Sequence, residues 1–171
     1  ANMVDGGRSI SCKDIVYGTS QLDVSQPVFE ELFLLESAPK TMTKRLDALI
    51  SSGEIICCYF GGNEIGPRAL CNRSLICAAN NEKSVVALNS IIKKREKFRP
   101  LAPVMLRPVA ELWFEVNQKA IDCYRWMALT AVARENLPIE YEPILHFDRT
   151  ARIQILDDET HPIYDFLVRN R

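Results

Sequence analysis

The hydrophobic residues of this chain fall mainly in short runs that predict β-strands. Glu54–Phe60 and Ser74–Ala79 are apolar runs bounded by turn residues, which is typical of buried strands. Leu101–Leu106 predicts a strand that Pro103 restricts to a sheet edge or to the strand's own start, because proline has no backbone N–H to donate. Two further runs predict strands over Trp126–Ala133 and Ala151–Leu156.

Helical periodicity outside these runs predicts five helices. They extend from Ser25, Gln26 and Pro27 onward, from about Thr43 to Gly53, from Glu82 to about Lys93, from Pro108 to Phe114, and from Thr160 to about Val168. In the third helix, Val85, Leu88 and Ile92 are expected to face inward. Because helices and strands mix throughout, the sequence predicts an α/β (α+β) fold: an open twisted mixed sheet with packed helices.

The length and composition favour a single domain. The chain has 171 residues, 47% of them hydrophobic, which is long enough for one substantial core and short for two. We predict a junction over residues 1–20 and one domain over residues 21–171. No apolar run approaches the roughly 20 residues of a membrane span, and the first residues lack a signal-peptide hydrophobic region. The expectation is a soluble cytoplasmic protein with no membrane partner.

Six cysteines and two histidines give little support to a disulfide framework or a metal centre. Cys57 and Cys58 stand inside an apolar run, and the cysteines show no C-x-x-C spacing. Buried, reduced thiols are therefore favoured over disulfides. His146 and His161 belong to different predicted elements, so the sequence predicts no protein-held metal.

Positive charge is concentrated in one part of the chain. The whole chain carries 21 basic and 22 acidic residues, but residues 64–107 contain nine basic and three acidic ones. The remainder thus holds 12 basic and 19 acidic residues. This segregation favours a local anion site over a uniformly basic surface, so nucleic acid is not the expected partner.

The first candidate motif, GGNEIGPRALCNRS, places two arginines among turn residues. Arg68 and Arg73 lie five positions apart, so on a turn both guanidiniums could converge on one phosphate through paired hydrogen bonds. Asn72 and Ser74 could add an amide and a hydroxyl. A surface loop whose arginines pair with acidic neighbours explains these residue types equally well. Glu64 could be such a neighbour, hold an arginine in position, or meet a metal ion.

The second motif, KKREKFRP, has five basic residues among the seven from Lys93 to Arg99. By itself it is better explained as a solvated helix end, where the helix dipole favours cations. The apolar LAPVML that follows predicts a strand, which would place Lys93, Arg95 and Arg99 near the rim of the sheet. Ligands of α/β proteins bind at such rims.

The third motif, DRTARIQIL, alternates polar and apolar residues. Thr150, Arg152 and Gln154 would share one face of a strand, which could complete a cleft or merely face solvent.

The chain has no G-x-x-x-x-G-K-[ST] phosphate loop, no G-x-G-x-x-G fingerprint and no defensible Ser-His-Asp arrangement. Any phosphate chemistry would therefore rest on a cage of arginines and lysines. A nucleotide base could stack on one of three aromatic residues, Trp113, Trp126 or Phe114. Aromatic residues at helix and strand spacing are, however, more often part of the core.

GGNEIGPRALCNRSLICAA, KKREKFRPLAPVML and DRTARIQIL together resemble the C-terminal domain of the carbamoyltransferase family that includes nodulation protein U and the tobramycin and cephamycin O-carbamoyltransferases. The family pattern runs approximately G-x-x-E-x-G-P-R-A-L-G-N-R-S, then K-x-R-E-x-F-R-P-x-A-P, then D-G-T-A-R-x-Q. Most of this chain aligns with the pattern in order. The resemblance implies a YrdC-like fold, an open twisted α/β sheet with a basic cavity.

The resemblance also implies a reaction. Carbamoyl phosphate and ATP would react, through carbamate, to carbamoyl-adenylate, with Mg²⁺ helping to neutralise the ATP charge, for transfer to a small hydroxyl acceptor. Arginines suit this chemistry because phosphoryl and adenylyl transfer depend on positioning and charge stabilisation. The implied catalytic cage comprises Arg68, Arg73, Lys93, Arg95 and Arg99. The implied substrate- and nucleotide-binding residues are Asn72, Ser74, Thr150, Arg152 and Gln154.

The chain departs from the family pattern at two positions and at its end. Cys71 and Arg149 stand where the family has glycine, so two motif loops lose backbone freedom. The family continues into a segment resembling P-V-L-L-N-T-S-F-N, so the domain is expected to be truncated at its C-terminus. A metal-containing N-terminal transferase domain is likewise expected as a missing partner.

Two alternatives remain. A YrdC-like threonylcarbamoyl-adenylate synthase would share the fold and the basic cavity, although G-P-R-A-L-x-N-R-S favours the carbamoyltransferase. A noncatalytic nucleotide- or nucleic-acid-binding domain would use the same basic segment for a different purpose. Salt separates these alternatives, because binding to a phosphate backbone weakens steeply with ionic strength and a buried small-ligand cage depends on it less.

Overall fold

The computed structural model describes residues 3–5, 8–10, 39–60, 64, 66–96 and 99–170. The helix predicted after Ser25, the Gly61-Gly62 turn, Cys12 and Lys97 lie outside these residues. Within the described part of the chain, no helix is long and apolar enough to cross a membrane. In the segment predicted as a junction, two short strands pair antiparallel: β1 (Met3–Asp5) and β2 (Arg8–Ile10).

The other strands form small sheets that mix both pairing directions. β3 pairs antiparallel with β4, β5 pairs parallel with β9, and β6, β7 and β8 form an antiparallel sheet. Their bounds are β3 (Ile56–Tyr59), β4 (Arg73–Ile76), β5 (Val104–Met105), β6 (Phe114–Glu115), β7 (Ala131–Ala133), β8 (Thr150–Ala151) and β9 (Gln154–Ile155). The predicted α/β class is confirmed, with the described strands divided among several sheets.

Five α-helices of the described part accompany these strands. They are α1 (Pro39–Ser51), α2 (Glu82–Ala87), α3 (Arg107–Trp113), α4 (Ile121–Arg125) and α5 (Tyr164–Arg169). Asn81 caps α2 by accepting a hydrogen bond from the Ser84 backbone N–H. The helix predicted over Pro108–Phe114 is confirmed as α3, and Pro103 directly precedes β5 as a strand-start proline should.

The helix predicted from Glu82 to Lys93 is only partly correct. After α2 the chain continues as a π-helical turn over Leu88–Ile92. Val85 and Leu88 are buried as predicted, but Ile92 is 48% exposed. The wider π turn changes the rotation per residue, so a residue that α-helical spacing would bury moves off the inward face.

The strand predicted over Trp126–Ala133 is wrong in its first half. Helix α4 ends at Arg125, and Met127 has a left-handed φ of 50° that turns the chain. Strand β7 therefore begins only at Ala131. The apolar pattern did not reveal this turn because methionine rarely adopts positive φ.

Two apolar clusters hold these elements together. The larger packs α3, α4 and the sheet of β6, β7 and β8 around Phe114, Ile153 and Ile155, each almost fully buried. The smaller joins α1 to α5 through Leu46 and Ile163. It also contains Cys71 and Leu156, so the first and third motifs share this core.

Candidate functional site

One cavity of about 1490 Å³ is lined by all three sequence motifs. Eight of the ten predicted site residues line it: Arg68, Arg73, Ser74, Lys93, Arg95, Arg99, Arg152 and Gln154. The structure thus brings together cationic side chains from three separate segments. It does not place Asn72 or Thr150 in the cavity wall.

The loop of the first motif is organised by one carboxylate oxygen. Oε1 of Glu64 accepts hydrogen bonds from the backbone N–H of Leu70 at 2.8 Å, the backbone N–H of Asn72 at 3.0 Å and Nδ2 of Asn72 at 3.1 Å. Asn72 is buried and its side-chain amide is bonded to Glu64, so its contact with a ligand stays a prediction. These contacts hold the loop of Glu64 itself, which is none of the three roles predicted for this residue. A carboxylate satisfies several donors at such a turn because it carries only acceptors.

The two arginines of this loop differ in their surroundings. Arg68 is half-buried at the cavity, and its Nε atom is buried without a hydrogen-bond partner among the described residues. Arg73 instead donates from Nη1 to the Phe60 carbonyl at 3.0 Å, and its guanidinium lies 3.8 Å from the centre of the Tyr59 ring. Arg73 is therefore oriented by protein contacts, whereas Arg68 presents a buried donor at the cavity wall.

The second motif folds back over the π turn. The side chain of Asn89, which sequence analysis missed, is buried and accepts a hydrogen bond from Arg95 Nε at 2.7 Å. Arg99 forms an exposed ion pair with Glu96 at 3.1 Å. Desolvation lowers the pKa of Lys93, and the nearby Arg95 lowers it further. The cavity therefore carries several mutually repelling cations, which an anion would stabilise.

The third motif is divided between the cavity and the core. Arg152 is exposed at the cavity, and Gln154, which also lines it, is only 2% exposed and accepts a hydrogen bond from the Cys71 thiol. Thr150 begins β8 directly after a turn, and its hydroxyl and backbone N–H both donate to Asp148 Oδ1. These two hydrogen bonds lower the pKa of Asp148. The described contacts of Thr150 thus stabilise this turn, and its contact with a ligand stays a prediction.

Another part of the cavity wall is apolar and aromatic. Trp113 and Tyr141 line it, with ring centroids 4.9 Å apart and ring planes inclined by 38°. Of the three aromatic residues considered for base stacking, Trp113 lies in the wall and Phe114 is fully buried in the core. The cavity therefore presents cations and an aromatic surface together, a combination that suits a ligand with both charged and planar groups.

Both positions where the sequence replaces a motif glycine have left-handed backbone. Cys71 has φ of 72° and Arg149 has φ of 60°. Glycine adopts this region without the steric cost that a Cβ atom imposes. The chain keeps the glycine conformation of the pattern while carrying larger residues.

A sequence model described as carbamoyltransferase C-terminus matches residues 47–171, which include every motif of the cavity. The chain belongs to this family. The domain is 31% identical to nodulation protein U of Azorhizobium caulinodans over 96% of this chain and 30% of that protein. It is 34% identical to the 3'-hydroxymethylcephem-O-carbamoyltransferase of Amycolatopsis lactamdurans over 68% of this chain and 21% of that protein. Nodulation protein NolO of Bradyrhizobium diazoefficiens is 32% identical over 67% of this chain and 21% of its own length.

The chain therefore spans less than a third of the length of each of these relatives. The matched part is the carbamoyltransferase C-terminus, and the cavity lies within it.

Proposed function

We propose that this domain activates carbamoyl phosphate with ATP to form carbamoyl-adenylate, which serves O-carbamoylation of a small hydroxyl compound. The observation that carries the proposal is the convergence of Arg68, Lys93, Arg95 and Arg152 on one cavity. Family membership supports it, as does a relative whose name specifies O-carbamoyl transfer to a hydroxymethylcephem.

The proposed chemistry proceeds in two steps. Water hydrolyses carbamoyl phosphate, which gives carbamate and phosphate. A carbamate oxygen then attacks the α-phosphorus of ATP, the new O–P bond forms, and the bond to pyrophosphate breaks. An acceptor hydroxyl would later attack the carbamoyl carbon and release AMP; we propose that this transfer takes place in another domain of the polypeptide.

The cations of the cavity suit these steps because both co-substrates are phosphate anions. Guanidinium groups donate paired hydrogen bonds to phosphate oxygens and stabilise the charge that develops during adenylyl transfer. The buried Nε of Arg68 makes it the strongest candidate for a direct contact. Mg²⁺ would enter with ATP as part of the co-substrate.

The aromatic wall suits the remainder of the nucleotide. Trp113 and Tyr141 offer ring faces and edges in the same cavity as the cations. A nucleotide whose planar base packs on these rings would direct its phosphates toward the arginines. The two ends of the nucleotide, planar and anionic, match the aromatic and cationic parts of the cavity wall.

Calorimetric titration of the purified protein with Mg²⁺-ATP and with carbamoyl phosphate tests the proposal. We expect both to bind, and Arg68→Ala to weaken ATP binding by about tenfold or more, the cost of losing charge-assisted hydrogen bonds. Arg169→Ala is the matched control, because Arg169 is an exposed arginine outside the cavity wall. Equal ATP affinity of the Arg68 and Arg169 variants and the wild type would overturn the site.

Pyrophosphate release distinguishes the proposed reaction from the alternatives. We expect release that depends on carbamoyl phosphate and that Arg68→Ala diminishes. Release that depends on threonine and bicarbonate instead would identify a threonylcarbamoyl-adenylate synthase. Tight single-stranded nucleic acid binding with a steep salt slope, and no competition by ATP, would favour the binding domain.

A further inference from the structure

Asn89 is a buried polar residue on the π turn that precedes the cationic second motif. It is 3% exposed and follows Leu88, which is 1% exposed. A buried asparagine must satisfy an amide oxygen and two amide hydrogens, so its partners define its role.

Among the described residues, the side-chain partners of Asn89 belong to the second motif, here called the basic loop. Oδ1 of Asn89 accepts from Arg95 Nε at 2.7 Å, and Nδ2 donates to the Arg99 carbonyl oxygen at 2.9 Å. The Asn89 carbonyl oxygen accepts from the Arg95 backbone N–H at 3.0 Å. One residue therefore holds the beginning and the end of the loop, through side chain and backbone together.

The local backbone makes these contacts geometrically feasible. The Lys93 N–H donates to the Leu88 carbonyl at 2.9 Å, which is the i→i+5 bond of the π turn. Lys94 then has a left-handed φ of 47°, so the chain reverses and Arg95 returns over Asn89. π turns are frequent at functional sites, where they reorient a helix face.

The loop needs such an anchor because its charges repel. Desolvation and the nearby Arg99 lower the pKa of Arg95, and Arg95 in turn lowers that of Lys93. An arginine side chain also has large conformational entropy, which opposes any single orientation. The Asn89 contact holds Nε and leaves the terminal guanidinium nitrogens without another hydrogen bond among the described residues.

We propose that Asn89 is a positioning residue that orients Arg95 toward a phosphate group in the cavity. The inference rests on the proposed function, since that phosphate would be ATP or carbamoyl phosphate. Asn89 acts through Arg95 and does not touch the ligand. Because the anchor holds Nε, the two terminal nitrogens are the groups that would contact phosphate oxygens.

A double-mutant cycle in ATP affinity tests this role, with Asn89→Ala, Arg95→Ala and the double variant. We expect Asn89→Ala to weaken Mg²⁺-ATP binding by about tenfold in the wild type and by less than about twofold when Arg95 is already alanine. Asn89→Leu keeps nearly the shape of asparagine without its hydrogen bonds and should reproduce the loss. Asn89→Leu takes the place of Asn89→Ala in the double-mutant cycle if the alanine variant does not fold.

Ser84→Ala is the matched control for stability. Ser84 is 4% exposed on the preceding helix turn, and its hydroxyl donates to the Gly53 carbonyl at 2.6 Å. We expect this variant to lower the melting temperature as Asn89→Ala does, and to bind Mg²⁺-ATP like the wild type. A merely structural Asn89 would behave like Ser84.

The outcomes separate the two proposals. If Arg95→Ala weakens ATP binding and both Asn89 variants bind like Ser84→Ala, the positioning role is wrong and the proposed function stands. An Asn89→Ala loss of equal size with and without Arg95 also contradicts the role, since it would not act through Arg95. If the wild type binds neither ATP nor carbamoyl phosphate, both proposals fail.

Discussion

The thiol of Cys71 donates a hydrogen bond to Oε1 of Gln154, with 3.3 Å between the sulfur and the oxygen. The two residues are 3% and 2% exposed, respectively, and belong to the first and third motifs of the cavity. Desolvation, with smaller contributions from Cys58 and Glu64, raises the pKa of Cys71 to about 12. The thiol therefore stays protonated at neutral pH, which its role as a donor requires.

The first prediction concerns thiol reactivity. Because the thiolate is the reactive form, Cys71 should resist a thiol reagent at pH 8 in the folded protein, whereas the exposed Cys57 should react readily. Mass spectrometry of labelled peptides after short exposure measures both rates. Cys57→Ser should remove the fast labelling of its peptide, because burial also raises the pKa of Cys58 to about 12. Comparable labelling of Cys71 and Cys57 without denaturant would show that the motifs are not packed as described.

The second prediction concerns the loop anchor. Glu64→Ala removes the acceptor of three hydrogen bonds and should lower the free energy of unfolding by about 1.5–3 kcal/mol. Glu64→Gln keeps an oxygen acceptor and should lose less. Urea unfolding measures both variants.

Glu54→Ala serves as the control for this experiment, because Glu54 is exposed in the link between α1 and β3. We expect its effect to stay within about 0.5 kcal/mol, as for most surface substitutions. If Glu64→Ala were as mild, the loop would not depend on the Glu64 carboxylate.

The third prediction uses the left-handed backbone of Arg149. Arg149→Gly and Arg149→Ala both remove the exposed ion pair with Glu142, at 3.1 Å, which contributes at most about 1 kcal/mol. Only glycine relieves the positive φ of 60°. We expect the glycine variant to be more stable than the alanine variant by about 1 kcal/mol in urea unfolding. Equal stabilities would mean that Arg149 does not hold this conformation in solution.

Sequence reasoning was most successful where residue type and spacing determine the outcome. The arginines and lysines that the sequence groups around turns line one cavity in the structure. Charges from three motifs of an α/β domain can meet in this way because strand ends lie at one edge of a sheet. The catalytic roles assigned to those residues stay predictions. The alternation in the third motif holds only in part: Arg152 is exposed between the buried Ala151 and Ile153, but Gln154, on the predicted polar face, is buried as well.

The errors have a common physical origin in the backbone. Neither the π turn that exposes Ile92 nor the positive φ of Met127 follows from hydrophobic period, since both depend on how neighbouring elements pack. Asn72 and Thr150 were assigned to ligands because their types suit polar contacts; the structure pairs them with Glu64 and Asp148, and their ligand contacts stay predictions. Asn89 left one signal, a polar side chain directly after Leu88, a residue that helical spacing predicts to face inward.

The last prediction concerns pH and the buried His161. Its Nδ1 accepts from the Ile163 backbone N–H at 3.3 Å, and its ring packs edge-on against Phe60 with centroids 5.9 Å apart. Burial lowers the pKa of His161 below its usual value of 6.5, outweighing the opposite effects of Asp158 and Glu64. The unfolded state therefore binds the proton more readily than the folded state.

The sign of the pH effect follows from this difference. The stability associated with neutral His161 is fully present above about pH 6.5 and is lost as the pH falls below it, by at most about 1.4 kcal/mol per pH unit for one proton. His161→Phe keeps a ring against Phe60 and should reduce the fall in unfolding free energy between pH 7.5 and pH 5.5. His146→Gln, at the exposed histidine, should keep the wild-type fall. If His161→Phe and the wild type lost equal stability over this range, the His161 imidazole would not be buried in its neutral form, because its protonation would then cost the folded state nothing.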